Sequence, residues 1–318
     1  MSYWKDVGIA HNEPSLWLGN FQGFKTTRSF GDCVRDTYEQ FKGTGPFCGF
    51  YFFQRPAVVV LELDLVKSIL IKDFSNFIDL GIFHNERDDP LTGHVFLLDD
   101  SKWKNLRQKL SPTFTSGKMK FMYPSVIKVA EEFIKVMDHH LKTSPVVEIR
   151  ELLARFTTDV VGTCAFGIDC NSLKDPQAEF RLMGKRSRSE RRHGGLFLAF
   201  MQGFPKLACK LHMKQTPDDI TAFYMRIVRE TVAYREANKI QRNDFLNILM
   251  DLKNDQQSGK VIKFSIEEMA AQIFVFLWVV LKPLSPPWVL LCTSWLNIKK
   301  CKINCATKYI KLLMKTAV

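Results

Sequence analysis

The sequence lacks the short motifs that mark common hydrolytic, nucleotide-binding and metal-dependent sites. It contains no Gly-x-Ser-x-Gly nucleophile turn, phosphate-binding loop, Gly-x-Gly-x-x-Gly motif or His-Glu-x-x-His pair. Its eight cysteines include no Cys-x-x-Cys pair, so neither a zinc site nor a disulfide framework is indicated. The first residues form no apolar signal sequence, and we therefore expect reduced thiols on the cytosolic side.

Acidic residues are missing from the last part of the chain. No Asp or Glu follows Glu268 through Val318, although the overall frequency of 33 in 318 predicts about five there. The net charge is +12, which a scattered basic surface explains. The basic run 185–192 has no interleaved aromatic residues, so we expect no nucleic-acid binding. A solvated basic face is favoured there, with a membrane-facing loop as the alternative.

Hydrophobic periodicity predicts a mainly α fold with a small β portion. The nearly continuous apolar run 56–63 predicts a strand that is buried on both faces. Capping residues and apolar stripes predict a series of helices, with a capping box beginning at Ser265. Besides the segment after Ser265, these helices cover residues 65–70, 100–110, 125–141, 148–166, 216–238 and 244–253.

The apolar run 269–281 is too short to cross a bilayer. Gln272 is its only polar residue, and Lys282 and Pro283 interrupt the hydrophobic pattern that follows. We therefore expect a buried core helix. A broken membrane hairpin is the alternative.

Trp103 and Arg107 are four residues apart on a predicted helix, and therefore share one face. The spacing is typical of a cation–π pair at a surface. It also suits a clamp in which the indole N–H and the guanidinium both donate to one carboxylate. From the spacing alone, the surface pair is favoured.

Several segments together resemble the N-terminal part of microsomal cytochromes P450, especially the insect family 6 enzymes. The matching segments are residues 3–9, 89–96, 103–120, 157–176, 226–236, 242–245 and 267–276. The resemblance implies haem b, an NADPH-dependent reductase as partner, small apolar substrates and the cytosolic face of the endoplasmic reticulum membrane. It also implies that Trp103 and Arg107 hold a haem propionate, so the clamp interpretation now replaces the surface pair.

The sequence departs from this family in ways that bear on activity. The family's haem ligand is a Cys in a Gly-rich Phe-x-x-Gly loop, and the 318 residues contain neither that loop nor the family's Glu-x-x-Arg pair. We also expect no membrane anchor of the family's type in these residues. We therefore expect no metal ligand, no stable haem binding and no monooxygenase activity. We further expect Phe274, Phe276 and the apolar stripe of 148–166 to lack packing partners.

We expect that the acid-free tail is translated in a shifted reading frame. In the shifted frame, each codon consists of the last base of one residue's codon and the first two bases of the next residue's codon. At Trp288–Val289 that codon can encode only Gly, and at Asn304–Cys305 it can encode only Leu. Allowed choices elsewhere spell a family-like continuation, Phe-Glu-Thr-Ser, from residue 281. We therefore divide the chain into a P450-like region, 1–276, and an out-of-frame tail, 277–318. The alternatives are a non-enzymatic protein that uses the apolar and basic tail at a membrane surface, and a gene-model error for a complete monooxygenase.

Overall fold

The computed structural model describes residues 1–24, 26–143, 147–190, 192–254 and 264–281. These residues form twelve α-helices and one antiparallel hairpin, so the predicted class, mainly α with a small β portion, is confirmed. The chain divides into two compact units. Unit 1 comprises Met1–Asp88, Phe96–Lys104 and Arg192–Gln215. Unit 2 comprises Asp89–Val95, Asn105–Arg191 and the described residues from Thr216 onward.

The elements follow one another in a simple order. The helices are α1 (Tyr3–Val7), α2 (Phe30–Phe41), α3 (Leu63–Lys67), α4 (Asp100–Leu110), α5 (Ser116–Thr143), α6 (Ile149–Val161), α7 (Glu179–Ser189), α8 (Gly195–Gly203), α9 (Pro205–Lys210), α10 (Asp218–Asn238), α11 (Phe245–Asn254) and α12 (Ile266–Leu281). The strands are β1 (Phe47–Phe52) and β2 (Arg55–Val60). Short 3-10 turns include Pro90–Thr92 and Ser111–Phe114, and π-helical segments cover Ser68–Lys72 and Gly162–Phe166.

The β portion is an antiparallel hairpin in unit 1. A turn of two residues joins its strands, and Phe52 pairs with Arg55 across that turn. The predicted strand 56–63 overlaps β2, but the prediction that both of its faces are buried is wrong. Val59 is buried, whereas the neighbouring Val58 is 47% exposed. One face of the sheet packs on the core around Phe21. On the other face Trp4 covers β1 at Gly49, whereas Val58 of β2 is exposed.

The N-terminal helix is fixed to this hairpin by a tryptophan. The Trp4 indole N–H donates to the Phe50 carbonyl at 2.9 Å, and the ring lies against the backbone of Gly49. A Cβ at Gly49 would lie only 2.5 Å from Cγ of Trp4, so the absence of a side chain permits this approach. A second cluster in unit 1 contains Phe83, Met201 and Ala208.

Most of the long helices agree well with the sequence. The predicted helices 100–110, 216–238 and 244–253 correspond to α4, α10 and α11, whereas the predicted helix 125–141 is only the later part of α5, which begins at Ser116 and contains Pro124. The predicted helix 148–166 is α6 followed by the π-helical segment Gly162–Phe166. The helices α5 and α6 share a core in which Phe133, Leu152 and Leu153 are buried.

The last described helix, α12, is a buried core helix, as predicted. Ser265 and Glu268 form the predicted capping box, each side chain bonding to the other residue's backbone N–H. The expectation that Phe274 and Phe276 lack partners is wrong. Phe274 packs on Tyr224 of α10, and Phe276 stacks on Phe114 with ring centroids 5.6 Å apart.

The apolar stripe of 148–166 is also packed, because α6 lies against both α5 and α12. The other half of the proposed membrane hairpin, residues 282–296, and nearly all of the tail 277–318 lie outside the described residues. Within the described part of the chain, no helix has both the length and the apolarity needed to cross a bilayer.

Candidate functional site

The proposed anion clamp lies on α4. Trp103 is buried and its ring meets the edge of Phe74 with centroids 5.8 Å apart. Arg107 follows one helical turn later and is exposed. The two donors thus lie on the same helical face, as the spacing predicts. The arrangement has the donor types of a carboxylate clamp, an indole N–H and a guanidinium.

A second functional arrangement joins the Pro90–Thr92 turn to α12, and sequence reasoning missed it. The buried Gln272 side chain accepts a hydrogen bond from the Val95 N–H at 3.1 Å. Its amide nitrogen donates to the Gly93 carbonyl at 3.0 Å and to the Glu268 carbonyl at 3.3 Å. One side chain therefore holds the loop after the turn to the helix. The only signal in the sequence is that Gln272 is the one polar residue of an apolar run.

Asp89 connects the same turn to the beginning of the α10 region. Its side chain is almost completely buried, and its carboxylate accepts a hydrogen bond from the Thr216 N–H at 2.8 Å. The Asp89 carbonyl accepts from both the backbone N–H and the hydroxyl of Thr92. Because a buried carboxylate is stable only when it is hydrogen-bonded, this residue fixes the position of the turn.

A buried ion pair joins the end of α10 to the start of α11. Both nitrogens of the Arg235 fork donate to Asp244, at 2.9 and 2.6 Å, and both side chains are only 2% exposed. The Gly167 carbonyl accepts from Arg235 and from Arg242. Gly167 has a positive φ of 66°, and an added Cβ would overlap both members of the pair.

A surface cleft of about 530 Å³ opens beside this ion pair. Asp169, Glu230 and the exposed ring of Tyr234 are among the residues that line it. The cleft and the ion pair both belong to unit 2. None of the cleft residues was a sequence-predicted site residue, because their proximity depends on tertiary structure.

Comparison with known proteins identifies the family. The family model for cytochrome P450 matches residues 11–279. The chain belongs to the cytochrome P450 family. It is 58% identical over 280 residues to "Probable cytochrome P450 6a21" and 55% identical over 280 residues to "Cytochrome P450 6a9", both of Drosophila melanogaster; each alignment covers 87% of this chain and 56% of the relative.

A third relative, "Cytochrome P450 6A1" of Musca domestica, is 48% identical over 275 residues, covering 86% of this chain and 54% of the relative. The family assignment that the sequence motifs indicate is therefore confirmed. This cytochrome P450 chain spans only a little more than half the length of these relatives.

Haem is the cofactor that the P450 family implies, and the described residues fit only one end of it. The donors of Trp103 and Arg107 suit a propionate. In the P450 family the axial ligand is a cysteine thiolate. Without a metal ion beside them, burial raises the pKa of the thiols of Cys48 and Cys170, and raises that of Cys164 to about 11.

The cysteines of the described residues also have other structural roles. Cys48 is completely buried in the hairpin core, and the Cys170 sulfur packs against Gly162. The Cys209 thiol donates to the His84 carbonyl at 3.4 Å. Cys48, Cys170 and Cys209 thus pack or bond within the fold, and the described residues form no group of three or more metal-ligating side chains.

Proposed function

We propose that this chain is part of a haem-thiolate monooxygenase of the insect family 6 type. Such an enzyme would bind haem b, receive electrons from an NADPH-dependent reductase, and oxidise small apolar substrates such as hormones, xenobiotics or insecticides. It would act at the cytosolic face of the endoplasmic reticulum membrane. The observation that carries this proposal is the family match over residues 11–279, supported by 44–58% identity to insect relatives.

Within this proposal, Trp103 and Arg107 bind one haem propionate. A guanidinium and an indole N–H one turn apart on α4 can both donate to a carboxylate. Haem, when bound, supplies the oxygen chemistry. The chain's own contribution would be to orient the cofactor. In a complete enzyme that contains this chain, substitution of Arg107 by Gln should weaken haem binding without unfolding α4, because this side chain is exposed.

The 318 residues by themselves do not catalyse oxygen insertion, in our proposal, because they contain no Cys in a Phe-x-x-Gly loop. Where the family has an acid and a threonine in its oxygen-handling turn, this sequence has Leu281, Lys282 and Pro283. A proline in a helix interior costs about 3 kcal/mol. Residues 1–276 are then the P450-like region, and 277–318 are the product of a shifted reading frame.

The gene sequence around the codons for residues 270–318 tests this proposal. A one-nucleotide correction between the codons of Phe276 and Leu281 should open a frame that encodes a Glu-x-x-Arg helix and then a Gly-rich loop with a Cys. If independent sequencing of the genome finds no extra or missing base in this region, the alternative of a gene-model error is excluded. If the one-nucleotide correction opens a frame that meets stop codons within a few dozen bases, the frameshift explanation is wrong.

The purified chain gives an independent test of activity. Reduced and exposed to CO, it should not develop the Soret band of a thiolate-ligated haem. A clear band of that kind would contradict the proposed inactivity. Flotation with vesicles of a reporter fused to residues 277–318 tests the alternative, a membrane-associated protein without enzymatic activity.

A further inference from the structure

The basic run 185–192 contains one serine that lies at the surface. Ser189 is the last residue of α7 and is exposed. Its hydroxyl donates a hydrogen bond to the Lys185 carbonyl, one turn earlier, at 3.1 Å. Ser187, the other serine of the run, is only 9% exposed, and its hydroxyl donates to the Gly184 carbonyl. An enzyme that acts on this segment of the folded chain therefore reaches Ser189 and not Ser187.

The sequence around Ser189 is basic on both sides. Five cations occupy positions −4, −3, −1, +2 and +3 relative to this serine, namely Lys185, Arg186, Arg188, Arg191 and Arg192. No other serine of the chain has an arginine three residues before it. Protein kinases choose their substrates largely by such charge patterns, which carboxylates of the kinase contact beside the site of phosphoryl transfer.

The arginine at position −3 is held at the surface by acidic partners. Nε and Nη2 of Arg186 donate to the Glu190 carboxylate, each at 2.8 Å, and Nη2 also lies 2.7 Å from the carboxylate of Asp219 on α10. Arg186 and Asp219 are 37% and 51% exposed. Exposed pairs of this kind stabilise a protein only weakly, and helix ends open more readily than the middle of a helix. The last turn of α7 therefore opens for a kinase at little cost in free energy.

We propose that Ser189 is a phosphorylation site for a serine kinase whose substrate groove is acidic. The Ser189 oxygen forms a bond to the γ-phosphorus of ATP, the bond from that phosphorus to the β-phosphate oxygen breaks, ADP leaves, and the hydroxyl proton passes to a carboxylate of the kinase. The product carries roughly 1.5–2 negative charges at the C-terminal end of α7, beside Glu190. Both the helix dipole and this neighbouring carboxylate disfavour the new charge, so phosphorylation loosens the last turn of α7.

Phosphorylation of the full 318-residue chain in solution tests the site. The chain is incubated with ATP and either protein kinase C or the catalytic subunit of the cyclic-AMP-dependent kinase, and the products are mapped by mass spectrometry. We expect a phosphate on Ser189 with at least one kinase, none on Ser187, and loss of the signal in Ser189→Ala. Absence of phosphate from Ser189 with both kinases overturns the proposal.

Two substitutions at one ion pair separate recognition of Arg186 from simple loosening of the helix. Arg186→Gln and Asp219→Asn both break the link between α7 and α10. Loss of a charge-assisted contact to the kinase should make Arg186→Gln react about tenfold more slowly or worse. Asp219→Asn should react at least as fast as the parent chain, because its Arg186 is easier to detach. A rate that does not fall in Arg186→Gln, or that falls equally in both variants, overturns the proposal.

Hydrogen exchange tests the effect of the phosphate on α7. The Glu190 N–H donates to the Arg186 carbonyl at 2.8 Å and so reports on the last turn. In the phosphorylated chain this amide should exchange faster than in the unmodified chain, while amides in the middle of α10 should be unchanged. An equal or slower exchange at Glu190 contradicts the proposed loosening.

Discussion

Replacing Asp244 by Asn should strongly destabilise the chain, because it removes one charge of a buried ion pair. The substitution preserves size and keeps an oxygen that can accept the hydrogen bond from the Asn247 N–H at the start of α11. It removes the negative charge that faces Arg235. Because Arg235 is only 2% exposed, its guanidinium cannot be hydrated by solvent.

The expected magnitude follows from this burial. Removing one partner of a buried ion pair costs about 3–5 kcal/mol, since the other charge is left uncompensated. With a urea m-value of about 2–3 kcal/mol/M, the unfolding midpoint should fall by about 1–2.5 M. A protein of ordinary stability, about 5–15 kcal/mol, retains a folded state that can be measured.

Asp219→Asn is the matched control, because Asp219 pairs with Arg186 at the surface at 2.7 Å. An exposed pair of this kind contributes about 0–1 kcal/mol, so its midpoint should hardly move. The double variant Arg235→Met, Asp244→Asn removes both charges and should recover part of the loss. If Asp244→Asn unfolds at the same urea concentration as Asp219→Asn, the ion pair does not stabilise unit 2 and the reasoning is refuted.

Three further predictions follow from single contacts. Gly167→Ala should destabilise the chain in the same urea assay about as much as loss of the buried ion pair, whereas Gly117→Ala, where an added Cβ meets no atom within 4 Å, should be neutral or stabilising. The hydrogen bond from His212 lowers the pKa of the Asp88 carboxyl below its ordinary value of 3.8. The stabilisation by the charged carboxylate is therefore present above pH 3.8 and is lost as the pH falls through the lowered pKa. Asp88→Asn should therefore lower the urea midpoint at about pH 6. At a pH below the lowered pKa of Asp88 the substitution should leave the midpoint unchanged, and an equal fall at both pH values would contradict this. Alkylation of Cys164, followed by peptide mapping, should be about 100-fold slower near neutral pH than in urea, because its pKa is about 11 against an ordinary 9.0; equal rates would contradict the shift.

The elements that sequence patterns predict are those with a clear local signal. Ser265 and Glu268 form the capping box that their spacing indicates, and the pattern of α10 gives a nearly correct helix. The stripe of α5 gives only residues 125–141 of Ser116–Thr143. β1 was not predicted, because Gly49 interrupts its apolar pattern and only the contact with Trp4 explains that glycine. The helix α7 was not predicted, and residues 185–192, which include its last turn, were treated as a solvated basic run; Arg181 lies before that run and is buried.

The functional arrangements were less accessible to sequence reasoning. The spacing places Trp103 and Arg107 on one helical face, while the haem role depends on resemblance and stays a prediction. The contacts of Gln272 join residues that are 177 and 179 positions apart in the chain. No local pattern encodes such a contact, since either partner would be compatible with many other neighbours.

The position at which the sequence changes character supports a shifted frame over a segment selected for a new role. The family match ends at residue 279, within α12, and Leu277 of that helix is 1% exposed. Evolution tolerates new segments best at exposed loops, where few packed contacts are lost. A change of reading frame takes no account of structure and can begin inside a buried helix. The break falls in a helix that packs on α6 and α10, which favours the proposed change of frame, and on that proposal the absence of acidic residues from 277–318 has the same cause.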